Sequence, residues 1–548
     1  MTAAALEEKL GPADRATGAG SWGEAVRADE AEAFPEALVA ALGPAGFLAH
    51  FVPVELGGAL RSIEDSAALV RAVSRRDLTA AIALGQAFLG SVPVWLRGDA
   101  GQKKRQAEAL LGGKLAALAL TEEAHGADIM SSEVRATRAG TDFSLSGTKW
   151  LINNGTRGEL LTLFARTDDA GGLNGFSLFQ VDRARAELGT LARQRTHGIR
   201  GADISGVVLD QTKVPGAAVI GSLGSGVETV LLALQVTRVG CGAFALGAAD
   251  TALRVATRFA LERQLYGGPV AELPHARDVL GGAYVDLLIC ESLTLGATRG
   301  LHTTPGEASV CSAVVKFLVP TLCESLARSA ATVLGARHYL RHGHAQGVFQ
   351  KVLRDLAVVP LFDGSTAVNL EGVATQLMRW EPVRRGGAQA ADGEALALRF
   401  GRGELPAFDG DALALMALGR DEVLDTLPHA LFELAQAAPK LLPVANRLAS
   451  ATERLVADAR ASKAEKRSTA LFALAERYCR LHAAASCVHH WTMRRAGASG
   501  FFREGEWVAA AVARLLGDDR PLSPAIAQRL FEQVRGNRWL SHDDVPAP

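Results

Sequence analysis

Apolar positions change their spacing along this chain, and the changes predict its architecture. Phe34, Leu38 and Leu42 recur at helical spacing before a Gly43–Pro44 stop, and further helices are predicted over Ile63–Val73 and the Ala-rich Leu78–Leu96. Near Leu115 the texture shifts to short alternating or apolar runs: Glu133–Thr137, Asp142–Leu145, Leu160–Ala165, Phe176–Val181 and Val207–Leu209. Turn clusters such as Asn153-Asn154-Gly155 and Ala170-Gly171-Gly172 separate them, which predicts a compact antiparallel β-domain over residues 115–226. From Glu228 to Leu265 no proline interrupts the pattern, so a single helix of about 57 Å is predicted at 1.5 Å per residue. Further helices complete a bundle over residues 227–380. A polar, Gly-containing stretch over 381–396 reads as a linker. In the last unit, 397–548, Leu471, Leu474, Tyr478, Leu481, Ala485 and Val488 repeat at three- and four-residue steps. Residues 1–33 are Ala/Gly/Glu-rich and expected to be loosely held and flexible, ahead of an N-terminal helical domain over 34–114. The fold class is α+β.

Composition narrows the class without choosing a chemistry. A chain of 548 residues exceeds one ordinary core, so three or four domains are expected. Lys and Arg total 58 against 59 Asp and Glu, a balance that gives no support to nucleic-acid binding. The cysteines Cys241, Cys290, Cys311, Cys323, Cys479 and Cys487 form no CxxC pair and read as small core residues in a reducing compartment. Neither the basic start and apolar run of a signal peptide nor a run of about twenty uncharged apolar residues is seen, so a cytoplasmic protein is expected.

Several phrases, taken in order, carry a resemblance. They are Phe51-Val52-Pro53-Val54-Glu55-Leu56-Gly57-Gly58; Leu120-Thr121-Glu122 followed by Gly126-Ala127-Asp128; and Gly147-Thr148-Lys149-Trp150-Leu151-Ile152-Asn153-Asn154-Gly155. Gly198 to Ser205, Val214-Pro215, Leu261 to Gly267, Arg354-Asp355 and Phe362-Asp363-Gly364-Ser365-Thr366 follow. Over residues 34–374 their number, order and spacing resemble the acyl-CoA dehydrogenases. That resemblance implies a helical domain, a β-domain and a helical bundle with FAD held between them. It also implies oxidation of an acyl thioester, on CoA or an acyl-carrier protein, to the 2,3-enoyl form, with an electron-transfer flavoprotein as the usual acceptor. The trailing helical unit is similar in placement to the extension of the very-long-chain branch. This implies a homodimer and, through an amphipathic surface, a membrane-surface contact.

Such an oxidation needs a base for the α-proton, an acceptor for the β-hydride and donors at the thioester carbonyl, where enolate-like charge develops. The resemblance puts the base at Asp363, where the family usually carries glutamate; the stem is one methylene, about 1.5 Å, shorter. Members acting on cyclic acyl thioesters or nitroalkanes share the aspartate. Read without the family, Asp363 is the first residue of an Asp-Gly turn. Arg238 falls where relatives have an arginine near the base and would hold the carboxylate ionised; otherwise it is a solvated helix arginine. For FAD, the resemblance sets Thr121 near flavin N5, with Leu120 beside it, or else Thr121 is an ordinary strand-end residue. Gly126 and Ala127 stand at the phosphate contact, where Ala127 replaces a serine. Leu151 replaces an aromatic that stacks on the flavin, and Asn153 replaces a threonine. Arg263 matches an arginine that reaches the pyrophosphate from a neighbouring subunit, and Tyr266, Gly335 and Ser365 are carried over as further cofactor positions. Pro274 and Ala336 depart from the family's glutamine and glycine.

Other features are weaker. Gly221–Gly226 lacks the GxGxxG order of a dinucleotide loop and reads as a turn into the long helix. His338 and His342 share a spacing suited to a metal, but no acidic or cysteine ligand accompanies them; with His344 they read as a surface loop, and His489–His490 likewise, so no metal is expected. Two alternatives stand beside the dehydrogenase. One is a flavin oxidase of nitroalkane or acyl-CoA oxidase type, and the other is a catalytically silent subunit of a heteromeric enzyme, suggested by Ala127, Leu151, Pro274 and Ala336.

Overall fold

The computed structural model describes residues 1–380, 393–462, 465–498, 500–518 and 521–547. Six helices come first: α1 (Ala3–Leu10), α2 (Trp22–Glu30), α3 (Glu36–Leu42), α4 (Ile63–Ser74), α5 (Leu78–Arg97) and α6 (Ala100–Leu111). Short polar side chains set their starts. Ser62 accepts from Asp65 N at α4, Asp77 accepts from Thr79 N at α5, and Asp99 and Gln102 form a reciprocal capping box at α6.

Residues 1–33 are not loose. Glu7 on α1 is fully buried and ion-paired to both Arg75 and Arg76, and Trp22 Nε1 donates to Arg75 O at 3.2 Å. Two arginines at the end of α4 need a carboxylate when buried, and α1 supplies it. The plain Ala/Gly/Glu composition hid that requirement.

Eight strands follow: β1 (Leu115–Ala119), β2 (Arg135–Ala139), β3 (Asp142–Asn153), β4 (Gly158–Arg166), β5 (Phe176–Asp182), β6 (Gly189–Leu191), β7 (Ile204–Val214) and β8 (Val219–Ile220). They form one sheet in the order β6-β7-β3-β2-β4-β5-β8, with β1 on β4. Most pairs are antiparallel, as predicted, but β1 runs parallel to β4, as does the single pairing of β2 with β4. The chain leaves α6 into β1 and returns to β4 only after crossing through β2 and β3, so no hairpin forces those two strands to oppose. α5 lies directly on β1: a Cβ at Gly90 would stand 2.6 Å from the Ala117 carbonyl carbon, so only glycine fits.

The long helix is real: α7 spans Gly226–Glu262 without a break. The small strands β9 (Gln264–Leu265) and β10 (Gly268–Pro269) follow it, then α8 (Pro274–Thr303), α9 (Ala308–Leu334), α10 (Val348–Leu356) and α11 (Thr366–Leu377). By length and composition four helical segments could cross a membrane, those of α5, α7, α8 and α9, which a search for uncharged runs did not single out. Between 78% and 89% of each such stretch is buried within this protein.

Of the expected linker, residues 381–392 lie outside the described residues. Residues 393–396 instead open a helix, α12 (Gly393–Phe400), which buries Leu396 and Phe400. The remaining unit comprises α13 (Glu422–Asp425), α14 (Leu427–Ala437), α15 (Leu442–Ala461), α16 (Thr469–Arg494), α17 (Gly500–Glu504), α18 (Glu506–Leu515) and α19 (Pro524–Arg535). His489 and His490 are buried on α16 rather than at the surface; His489 Nε2 faces Val423 O at 2.9 Å and its ring stacks on Phe400. The chain end then returns to its beginning. Trp539 Nε1 donates to Glu7 Oε1 at 3.2 Å, and Leu540 N donates to Asp250 Oδ2 on α7 at 2.8 Å. Asp250 also pairs with Arg75 and Arg254 at 3.2 and 3.0 Å.

Removing one partner of a buried ion pair leaves the other charge stranded. Glu7→Ala is therefore expected to lower stability by about 3 kcal/mol in urea unfolding at pH 7. An unchanged midpoint would mean that the N-terminal segment contributes nothing to the fold.

Candidate active site

The site is organised on α7. Near its start, Val227, Val230 and Leu234 bury against Leu118 of β1, Phe164, Phe176 and Leu178 of the sheet, and Leu89 and Val94 of α5, with Leu120 packed at the edge. The segment carrying Leu120 and Thr121 is thus fixed to the first turns of α7. Arg238 and Cys241 lie about 6 and 10 Å further along the same axis than Leu234, and there the helix meets the Asp363 turn.

Arg238 Nε donates to the backbone carbonyl of Asp363 at 2.7 Å, not to its carboxylate. Asp363 is partly buried at φ +54°, and the next residue, Gly364, has φ +90°. A side chain at Gly364 would meet the Arg238 guanidinium at 2.8 Å, so the Asp-Gly order is required by both backbone and space. Asn369 on α11 clamps the turn from below, its Nδ2 donating to Gly364 O and Ser365 O at 2.8 and 2.9 Å. The Asp363 carboxyl faces the Cys241 thiol, 3.9 Å away. Burial raises its pKa, while Lys316 and then Arg238 oppose the rise. Lys316 and Asn369 were not singled out in the sequence; neither stands in a recognisable phrase.

On the sheet side, the Thr121 hydroxyl donates to Trp150 O at 2.7 Å, and Trp150 N donates to Thr121 O at 2.9 Å. The loop rests on a buried pair. Glu122 accepts from Lys149 Nζ at 2.7 Å, from the Ser132 hydroxyl and from the Glu133 and Val134 amides, while Lys149 Nζ also donates to Leu120 O at 2.9 Å. Burial pushes Glu122 up, but Lys149 and these donors outweigh it and hold the carboxyl at about 2. Burial pushes Lys149 down to about 8, with Glu122 restoring only part. Both residues stood inside the quoted phrases without a role. The register of β3 against β7 shifts between Trp150 and Ile152, and this bulge turns Leu151 outward at φ +53° with 42% of its surface exposed. Gly126 and Ala127 lie exposed on the loop beyond.

Arg263, Tyr266 and Gly335 do not join this group within the chain. Arg263 stands roughly 37 Å along α7 from Arg238. Tyr266 is 93% exposed, and Gly335 is exposed at the end of α9, two residues before Arg337, which lies over the Phe259 ring near the far end of α7. All three face outward. His338 Nδ1 is spent on Gly335 O at 2.7 Å, and His344 packs on Phe259. No group of three or more His, Cys, Asp or Glu side chains suited to a metal ion occurs among the described residues.

Comparison with known proteins now gives this arrangement its family. Models described as the N-terminal, middle and C-terminal domains of acyl-CoA dehydrogenase match residues 23–114, 117–212 and 224–378. A probable acyl-CoA dehydrogenase of Mycobacterium leprae is 26% identical over 352 residues, 64% of this chain and 90% of its own. A cyclohex-1-ene-1-carbonyl-CoA dehydrogenase of Geobacter metallireducens is 26% identical over 346 residues, 63% of this chain and 90% of its own. The solved structure of an acyl-CoA dehydrogenase complexed with FAD from Bacillus anthracis superposes with a TM-score of 0.61 at 21% identity. It covers 93% of this chain and 90% of that one, so the likeness of fold extends into the C-terminal unit. The chain belongs to the acyl-CoA dehydrogenase superfamily. It is an oxidoreductase, and FAD is its cofactor.

The residues present fit that cofactor. Asn153 Oδ1 is buried without a hydrogen-bond partner among the described residues, and a buried acceptor left so costs about 1–3 kcal/mol unless a ligand donates to it. Leu151 offers an exposed apolar face two residues away, and Ser365 begins α11 without using its hydroxyl as a cap.

The Glu122 carboxyl makes stability depend on pH. A folded value of about 2, below the ordinary 4.5, means that its stabilising contribution is complete above pH 4.5 and is lost as pH falls towards 2. Glu122→Gln is expected to destabilise by about 3 kcal/mol at pH 7, with the gap to wild type closing between pH 4.5 and 2 in urea titrations. A gap constant across that range would rule out the ionised pair.

Proposed function

We propose that this chain oxidises an acyl thioester, with CoA as carrier, to the 2,3-enoyl thioester, and that Asp363 is the base. The observation that carries this reading is the Asp363 turn. The α7, α9 and α11 side chains converge on it, its backbone is held by Arg238 and Asn369, and its carboxyl faces Thr237 and the Cys241 thiol rather than a salt-bridge partner among the described residues. FAD supplies the acceptor for the β-hydride. Asp363 takes the α-proton through a carboxylate oxygen while its own backbone N–H is the candidate donor to the thioester carbonyl. Thr121, Leu120, Gly126, Ala127, Leu151, Asn153 and Ser365 hold the cofactor on this chain.

A compact acyl group suits the surroundings. The Phe362 ring beside the base packs edge-on against Phe244 of α7, with centroids 6.2 Å apart, and Phe244 is backed by Gly85 of α5, so aromatic rings fill the space next to Asp363. The Geobacter relative is named for a cyclic acyl-CoA. The outward-facing positions of Arg263, Tyr266 and Gly335 support a homodimer in which each copy lends these residues to the other's cofactor. An electron-transfer flavoprotein in the cytoplasm is the proposed acceptor. A membrane-surface contact of the C-terminal unit would use exposed Phe432 and Leu442.

Anaerobic titration with compact and long acyl-CoAs, followed by flavin absorbance, tests the reading; bleaching by the compact class is expected, and none by any acyl-CoA would sink it. Asp363→Asn should retain flavin and slow bleaching by at least about a hundredfold. Peroxide formed in step with turnover in air would point to an oxidase instead.

A further inference from the structure

Lys316 on α9 is fully buried, yet among the described residues its ammonium makes one hydrogen bond, to Val359 O at 2.7 Å. Such a group carries three donors and is expensive to bury without compensation. The same ammonium lies 5.3 Å over the centroid of the Phe362 ring. It therefore grips the segment carrying Asp363 twice, once four residues before the carboxylate and once immediately before it. The groups facing that carboxyl are Thr237, Arg238 and Cys241 from α7 and Lys316 from α9, while Asn369 from α11 is committed to the backbone below. Arg238 is committed through Nε to the Asp363 carbonyl, and Cys241, whose thiol burial pushes up, stays neutral. Lys316 remains as the first counter-charge to the carboxylate.

We propose that Lys316 is a positioning residue for Asp363, fixing the segment that carries the base and supplying the charge that favours its ionised form; this rests on the reading of Asp363 as the base. The two effects share one cause. An aspartate stem is too short to search for its proton, so the backbone must be placed for it, and a cation buried at the same spot does both. Burial, and behind it Arg238, oppose the charge on Lys316 while the Asp363 carboxylate favours it, so cation and carboxylate support each other.

Lys316→Gln keeps a donor for Val359 O but removes the charge; Lys316→Arg keeps the charge. Difference infrared titration of the Asp363 carboxyl, identified against Asp363→Asn, reads protonation with no substrate present. The pH profile of single-turnover acyl-CoA oxidation in the FAD-loaded enzyme reads its consequence. Loss of a nearby cation makes the carboxylate harder to ionise, so in Lys316→Gln both midpoints should rise by about one pH unit, and in Lys316→Arg both should stay. Midpoints unmoved in Lys316→Gln, even with turnover lost, mark a merely structural residue and overturn the proposal. If Lys316→Gln yields no folded flavoprotein, Lys316→Met, which keeps the stem without the charge, takes its place: both midpoints raised by about one pH unit support the proposal, and midpoints unmoved overturn it. Turnover retained in Asp363→Asn removes the base assignment instead, while the infrared comparison still reports whether Lys316 acts on Asp363.

Discussion

An unbroken helix of 37 residues that is apolar on nearly every side must be covered on every side, and the rest of this protein is arranged to do so. The β-domain covers the first turns of α7, α4 and α5 pack along one flank, α8 and α9 along another, and the chain end closes over Asp250 and Arg254. Small residues from Gly240 to Ala249 allow the neighbours to approach closely. The functional consequence is geometric. Both the Thr121 segment and the Asp363 turn are positioned against one rigid rod, so their separation is set by helical rise rather than by loops.

Charge is treated in two ways across the molecule. Glu7 with Arg75 and Arg76, Asp250 with Arg75 and Arg254, and Glu122 with Lys149 are each buried and saturated with opposite charge or backbone donors. Those groups hold structure, since a buried charge is tolerated only when paired. Asp363 differs. Two cations act on it, but one is spent on its backbone and the other on Val359, and the thiol of Cys241 is a weak partner. A carboxylate kept half-satisfied costs stability and retains basicity.

The helical and strand periods were legible because both depend on local spacing. α7, α4, α5 and five of the strands stand close to where the apolar pattern puts them. What escaped was set by distant partners. Nothing near Glu7 announces that it will neutralise two arginines some seventy residues on, and nothing near Lys316 says that it will meet a turn over forty residues later. The parallel course of β1 follows from chain routing rather than residue type. At the site, the resemblance led to Asp363 through a phrase and to Arg238 through its place on the long helix, but the charged contact expected between their side chains became a contact with the backbone, which only three-dimensional placement could decide.

The C-terminal unit is more than an appendage to this site. Its irregular stretch before α13 reaches α7 and α11 together: Gln235 Nε2 donates to Ala414 O at 2.9 Å, and Ala417 N donates to Gln376 Oε1 at 2.8 Å. Gln235 lies one turn before Arg238 on the same face of α7, and Gln376 lies two turns beyond Asn369 on α11. The stretch therefore spans the two helices whose side chains clamp the Asp363 turn. Any loosening of the extension would let them separate. The Asp363 turn, its clamp and the extension are in that sense one mechanical unit, with α7 as its common axis.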